Sequence, residues 1–158
     1  MIAQGEKLAL DFKVKVVRDG AIEEVVFGDL LTRPAIVSVY MRAGTPSCDR
    51  QNDALAAVAA EIDRAGCVLV ALSRDTAPAL RRYAAARGIG HLLASDPADR
   101  FATAAGAIVE KTMYGRKFSG PARAAFALAR DGTVLAVLEK VDPANHAAQL
   151  RRLVAELG

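Results

Sequence analysis

Two short apolar runs restrict the fold more than any other feature of the chain: "PAIVSVY" from Pro34 to Tyr40 and "CVLVALS" from Cys67 to Ser73. Each has the length of a strand and little polar alternation, the pattern of strands covered on both faces, and the proline at the start of the first suits a strand entrance. Between them the period changes. From Cys48 onward Leu55, Val58, Ala59 and Ile62 fall on one helical face, with Asp53, Glu61, Asp63 and Arg64 away from it and Gly66 placed to end the helix. Two buried strands joined by an amphipathic helix make a parallel pair with a crossover.

The flanking segments extend that unit. "DFKVKVVRDGAIEEVVF" alternates Phe12, Val14 and Val16 with lysines and offers Asp19-Gly20 as turn residues, predicting an N-terminal β-hairpin. After Ser73 a helix opened near Asp75 to Pro78 carries Leu80 and Tyr83, leaves Arg81, Arg82 and Arg87 on a solvated face, and exits at Gly88 and Gly90. Asp96-Pro97 supplies an N-cap and first-turn proline for a helix with Phe101 and Ala105 inside and Gly106 at its end. "AAFALARDGTVLAVLEK" reads as a hairpin around Asp131-Gly132, and Asp142-Pro143 as the cap of a last helix with the stripe Leu150, Leu153, Val154, Leu157. The expected architecture is a three-layer α/β/α fold with a mixed central sheet and an N-terminal hairpin, one domain over residues 1–158.

Composition narrows the function. The net charge is +3, but basic residues are interspersed with acidic ones, aromatics are 5% and tryptophan is absent, so neither a basic stripe nor a stacking platform for nucleic acid is present. The first residues lack the basic and apolar regions of a secretory signal, and no run reaches the roughly 20 apolar residues of a membrane span, so a cytoplasmic protein without a membrane partner is expected. Two cysteines (Cys48, Cys67) and two histidines (His91, His146) occur, with no CxxC and no clustered spacing. Metal sites, disulfide frameworks and dithiol redox motifs therefore lack their ligands.

Cys48 is the candidate reactive group. It stands at a helix start in a polar context, "RAGTPSCDRQNDAL", and the loop before that helix lies at the carboxyl end of the sheet, where α/β proteins place their sites. Free N–H groups and the helix dipole there favour the thiolate, which is the reactive form of cysteine. Thr45 is close enough in the chain to present its hydroxyl to the sulfur or to a bound oxygen, and Arg42 and Arg123 are the candidate cations. Cys67 opens an apolar run without polar neighbours and is assigned to the core. His91 in a loop and His146 on the outer or flanking side of the last helix are assigned structural or solvated roles.

These motifs resemble the peroxiredoxins, and among them the bacterioferritin comigratory protein (PrxQ) type. Thr45-Pro46-Ser47-Cys48 matches the latter half of that family's active-site signature of proline, three residues, threonine, two residues and peroxidatic cysteine. "GEKLALDF" is similar to its N-terminal opening, "VALSRDTAPALRRYAAARGIGHLLASDP" to its Ser-x-Asp, helix and "LLSDP" run, and "MYGRKFSGPARAAFALARDGTV" to the segment whose arginine falls on Arg123. "EKVDPANHAAQLRRLVAEL" is similar to its closing helix.

The resemblance implies a thioredoxin-like fold and a thiol peroxidase without metal or organic cofactor. It implies Cys48 as the nucleophile toward hydrogen peroxide or an organic hydroperoxide, Thr45 and Arg123 orienting the peroxide, and Met41, Arg42, Ser47 and Gln51 around them in the pocket. Three features depart from the family pattern. Met41 replaces the signature proline, Asp53 stands where many members carry a resolving cysteine, and Ala124 and Ala125 follow the arginine in place of a hydroxyl-bearing pair. With Cys67 in the core, the expectation is a one-cysteine mechanism with thioredoxin, glutaredoxin or a low-molecular-weight thiol as external reductant, in a monomer or homodimer. A non-catalytic thioredoxin-like binding module or a redox sensor is the alternative reading.

Overall fold

Asp19 and Gly20 both take positive φ, 50° and 79°, and so form the turn whose twist matches a tight hairpin. They join β1 (Lys13–Arg18) to β2 (Ala21–Val26) in a register running from Lys13 opposite Val26 to Arg18 opposite Ala21. The computed structural model describes residues 1–157. A 3-10 turn (Phe27–Leu30) leads to β3 (Ala35–Val39), α1 (Pro46–Arg64), β4 (Val68–Ser73), α2 (Ala77–Arg87), β5 (Leu92–Ser95) and α3 (Arg100–Ala104). Then come β6 (Ile108–Met113), β7 (Arg116–Pro121), β8 (Ala124–Leu128), β9 (Val134–Leu138) and α4 (His146–Ala155).

Seven strands form one sheet in the order β2-β1-β5-β4-β3-β8-β9. β3, β4 and β5 run parallel, and the hairpins β1-β2 and β8-β9 close the two sides antiparallel, through β1 on β5 and β8 on β3. Period-two alternation sends Val37, Val39, Val70, Leu72, Phe126 and Leu128 to one face and Ile36, Leu69, Ala71, Ala125 and Ala127 to the other. The first face is covered by Phe27 and Phe101, whose rings lie 5.2 Å apart, Phe101 in turn meeting Phe126 edge-on at 5.3 Å. The second is covered by Leu55, Val58 and Ile62 of α1, Leu80 of α2, and Leu150 and Leu153 of α4. This is the expected three-layer fold with a mixed sheet and an N-terminal hairpin. Among the described residues no helix is long and apolar enough to cross a membrane.

Two elements depart from the sequence expectation. β5, where the sequence pattern predicts no strand, is a four-residue strand between β1 and β4, with Leu93 opposite both Val17 and Ala71. β6 and β7 form a separate two-stranded ribbon turned by Tyr114 (φ 54°) and Gly115 (φ 76°), with Tyr114 96% exposed. Helix starts also shift. α1 begins at Pro46, two residues before Cys48. The Asp96 carboxylate does accept the helix-start N–H groups of Arg100 and Phe101, but α3 begins only at Arg100. α4 begins at His146, because Asp142 holds the Ala144 N–H and the Asn145 amide in a turn ahead of it.

The histidine placements need one correction. His146 is fully buried, not outward-facing, because it precedes Leu150 and Leu153 by one and two turns on the same stripe. His91 is 8% exposed, and neither ring nitrogen has a hydrogen-bond partner among the described residues. Burial lowers its pKa to about 4. Between pH 6.5 and about 4 the unfolded chain therefore binds a proton that the folded chain does not, so stability is full above this window and falls with pH through it. The loss is expected to reach about 3 kcal/mol, and His91→Phe should flatten that limb of the urea-denaturation stability against pH.

Candidate active site

The loop between β3 and α1 is pinned from several sides. Pro46 occupies the first helical position, where a missing N–H costs nothing, and Thr45 is the N-cap with extended backbone (φ −92°, ψ 146°). The Thr45 hydroxyl donates to the Arg42 carbonyl at 3.0 Å, leaving its oxygen lone pairs available. Asp75, in the loop after β4, accepts the Ala43 N–H at 2.8 Å and the Ser73 hydroxyl at 2.8 Å through the same carboxylate oxygen. Asp49 accepts the Gly44 N–H at 3.0 Å and the Tyr83 hydroxyl at 2.6 Å. Burial, reinforced by that carboxylate, holds the Tyr83 phenol well above its ordinary range.

These contacts leave Cys48 as the third residue of α1, inside the turn whose N–H groups have no intrahelical acceptor. The residue is 1% exposed. Ala124 pairs with Val39, so Arg123, one residue earlier on the antiparallel neighbour, is brought opposite Tyr40 and the start of the loop. Its Nη2 donates to the Cys48 sulfur at 3.2 Å. A guanidinium and a helix N-terminus thus converge on one sulfur, an arrangement that stabilises negative charge there and on an oxygen bound beside it.

The other expected pocket residues divide. Ser47 is half-buried beside Cys48 on the first turn, and Met41 is half-buried against the apolar cluster that contains Cys48. Gln51 is fully buried one turn along, its amide donating to the Ser38 hydroxyl at 2.7 Å and the Val39 carbonyl at 3.1 Å. Arg42 is exposed and contributes its carbonyl; of the two candidate cations, Arg123 is the one in contact with the sulfur. Ala124 and Ala125 are fully buried in β8, facing Val39 and Ser38.

Sequence reasoning missed three participants. Lys111 on β6 donates to the Pro121 carbonyl at 2.7 Å, and its ammonium is destabilised first by burial and then by Arg123, while the Cys48 side pulls the other way. It is therefore a second cation near the site, placed there by the unexpected β6-β7 ribbon. Asn52 donates to the Cys48 carbonyl at 3.2 Å, and Tyr40, 1% exposed, has its phenol raised chiefly by burial. Asp53, at the position of a resolving cysteine in many relatives of this type, is held by Arg87 of α2 through contacts of 2.8 and 2.9 Å.

Cys67 lies just before β4, at the other end of α1 from Cys48. The 16 intervening helical residues put the two roughly 24 Å apart along the axis, against the ~7 Å between Cα atoms that a disulfide allows. Cys67 is 3% exposed, its thiol donates weakly to the Ala65 carbonyl at 3.8 Å, and burial raises its pKa. It lines a cleft of about 520 Å³ together with Arg33 and His91, remote from Arg123. Among the described residues no cluster of histidine, cysteine and acidic side chains could hold a metal ion.

Comparison with known proteins agrees with this geometry. Residues 6–137 match the model of the AhpC/TSA family. A Mycobacterium tuberculosis protein whose name places it among the peroxiredoxins is 34% identical over 128 residues, 81% of this chain and 82% of that one. Peroxiredoxin Bcp of Xanthomonas campestris is 31% identical over 112 residues, 71% of this chain and 70% of that one. A solved structure of the Xanthomonas campestris bacterioferritin comigratory protein, a protein with alkyl peroxide reduction activity, superposes with a TM-score of 0.86 at 26% identity, covering 99% of this chain and all of that one (100%). The chain belongs to the AhpC/TSA family and, within it, to the Bcp (PrxQ) peroxiredoxins, thiol-dependent peroxidases of thioredoxin-like fold.

Proposed function

We propose that Cys48 is the peroxidatic cysteine, that Thr45 and Arg123 orient the peroxide, and that an external thiol completes the cycle without a second cysteine of this chain. The observation that carries this reading is the 3.2 Å contact from Arg123 to the Cys48 sulfur within the first turn of α1. The Cys48 thiolate attacks the terminal oxygen of R–O–O–H. The S–O bond forms as the O–O bond breaks, the sulfur loses two electrons to become a sulfenic acid, and the departing alkoxide takes a proton to leave as alcohol, or as water when R is hydrogen. Arg123 and the free N–H groups of the α1 start stabilise the charge moving onto that oxygen. Organic hydroperoxides are included among the substrates because the solved Xanthomonas relative acts on alkyl peroxides.

A thiol then attacks the sulfenic sulfur and releases water, and a second thiol displaces Cys48 from the mixed disulfide. The sum is one hydroperoxide and two thiols converted to one alcohol, one water and one disulfide. Thioredoxin, glutaredoxin or a low-molecular-weight thiol fits the reductant's role, since Asp53 is ion-paired with Arg87 and Cys67 lies at the far end of α1. The test is peroxide consumption with dithiothreitol as the external thiol. Cys67→Ser is expected to keep turnover within about two-fold of the native chain, because it removes a thiol that burial keeps protonated. Loss of turnover in Cys67→Ser, or a Cys48–Cys67 disulfide on a non-reducing gel after peroxide, would assign resolution to Cys67.

A further inference from the structure

A sulfur that is to meet an external thiol has to be reachable by one, and Cys48 is 1% exposed. Hydrogen peroxide is scarcely larger than water and can come to the sulfur. A thiol on a larger molecule cannot, because a mixed disulfide with a protein needs the two Cα atoms within about 7 Å. The first turn of α1 therefore loosens at the reductive step, and the contacts that tie that turn down decide how readily it does so.

Within the helix the earliest backbone bond is from the Asp49 N–H to the Thr45 carbonyl at 2.8 Å, Pro46 having no N–H to add. Across to α2 the turn is held by side chains. Asp49 and Asp53 stand four residues apart on α1, and Tyr83 and Arg87 four apart on α2, so each pair shares one helical face and the two pairs meet. The Tyr83 hydroxyl donates to Asp49 Oδ1 at 2.6 Å, a short charge-assisted bond, and the same oxygen accepts the Gly44 N–H at 3.0 Å. Arg87 Nη1 lies 3.7 Å from Asp49 Oδ2, while its Nη2 donates to both oxygens of Asp53 at 2.8 and 2.9 Å. The guanidinium also sits 5.6 Å from the centre of the Tyr83 ring. Arg87 thus fastens α2 to the second turn of α1, and Tyr83 reaches from there to the residue that follows Cys48.

While Cys48 is a thiolate, Arg123 holds the same turn through the sulfur at 3.2 Å. A sulfenic acid lacks that charge, so after oxidation the turn relies on the Asp49 contacts. We propose that Tyr83 and Arg87, with Asp53 as anchor, are positioning residues for the reductive half of the reaction: through Asp49 they hold the first turn of α1 closed, and their release presents the Cys48 sulfenic acid to the external thiol. The thiol sulfur then bonds the Cys48 sulfur as the S–O bond breaks and water leaves. This rests on the reading of Cys48 as the peroxidatic residue. The position that carries a resolving cysteine in many relatives of this type is here the anchor of the clamp.

The test separates the two halves of the cycle by stopped-flow, with hydrogen peroxide as oxidant and dithiothreitol as reductant. Tyr83→Phe keeps the ring beside Arg87 and removes the hydroxyl. Its rate constant for Cys48 oxidation should stay within about two-fold of the native value, while that for reduction of the sulfenic acid rises about ten-fold. Asp53→Asn, at an exposed carboxylate, should raise the reduction rate constant about three-fold with oxidation again unchanged. Amide exchange followed by mass spectrometry should quicken about ten-fold in Tyr83→Phe over residues 45–50 and stay unchanged over β4. A reduction rate constant unchanged in either variant, a parallel fall in oxidation and reduction, or exchange that quickens equally over β4 overturns the proposal. A native chain that forms no sulfenic acid at Cys48 overturns the peroxidatic reading and this inference together, whereas native turnover that both variants reproduce in each half-reaction removes the inference alone.

Discussion

Cys48→Ser is expected to abolish peroxide consumption altogether, down to the background of the assay thiol, while leaving the fold intact. The replacement is nearly isosteric, and the residue's packing neighbours, Tyr40, Leu55 and the α1 face above β3, are apolar groups that tolerate a small side chain. What is lost is the nucleophile itself: a serine alkoxide is not accessible at neutral pH without a strong adjacent base, and neither Thr45 nor Arg123 is one. Near-UV circular dichroism should be unchanged. Residual turnover in this variant would shift attention to Cys67.

The second large effect is expected at Arg123. Arg123→Met keeps most of the side-chain length and removes the charge and the donor that sits 3.2 Å from the sulfur. Removing one preorganised donor from a site of this kind costs roughly 10²–10³ in rate, and here the same group serves both the attacking sulfur and the departing oxygen. A fall of that size in the second-order rate constant of Cys48 oxidation, read by stopped-flow, is the predicted outcome. A change below about five-fold would mean that the helix N-terminus carries the stabilisation and that Arg123 is a packing residue.

Much of this arrangement is legible in the residues. The two apolar runs and the helix between them dictate a crossover, and the parallel β3-β4 pair with α1 follows. Asp19-Gly20 announces its hairpin because both residues tolerate positive φ. The ribbon β6-β7 uses the same turn geometry, but with Tyr114-Gly115 and charged residues along both strands, a composition without the alternation that marks a half-buried hairpin. That is why Lys111, which the ribbon carries toward Arg123, was not legible. β5 was hidden for a different reason. Four residues without a β-branched side chain become a strand only because β1 and β4 offer edges on both sides.

The candidate site shows the same division between local and long-range information. A cysteine in the first turn of a helix is a statement about three or four neighbouring residues, and it can be made from "TPSC" alone. The Asp75 contact to the Ala43 N–H, the Tyr83 contact to Asp49 and the Ser38 contact to His146 join residues 32, 34 and 108 positions apart, and no periodicity foretells them. His146 is instructive here, since its spacing to Leu150 and Leu153 already put it on the inner stripe, and only its polarity argued for the outer face. A buried polar group is satisfied by partners that the sequence does not place nearby.

One measurement decides whether this account of the site holds. The native chain, reduced and then given one equivalent of hydrogen peroxide in the presence of dimedone, is digested and mapped by mass spectrometry. The predicted result is a single dimedone adduct on the peptide containing Cys48, none on that containing Cys67, and loss of the adduct when an external thiol is added before dimedone. An unmodified Cys48, or an adduct on Cys67 in its place, would contradict the assignment of Cys48 as the peroxidatic residue.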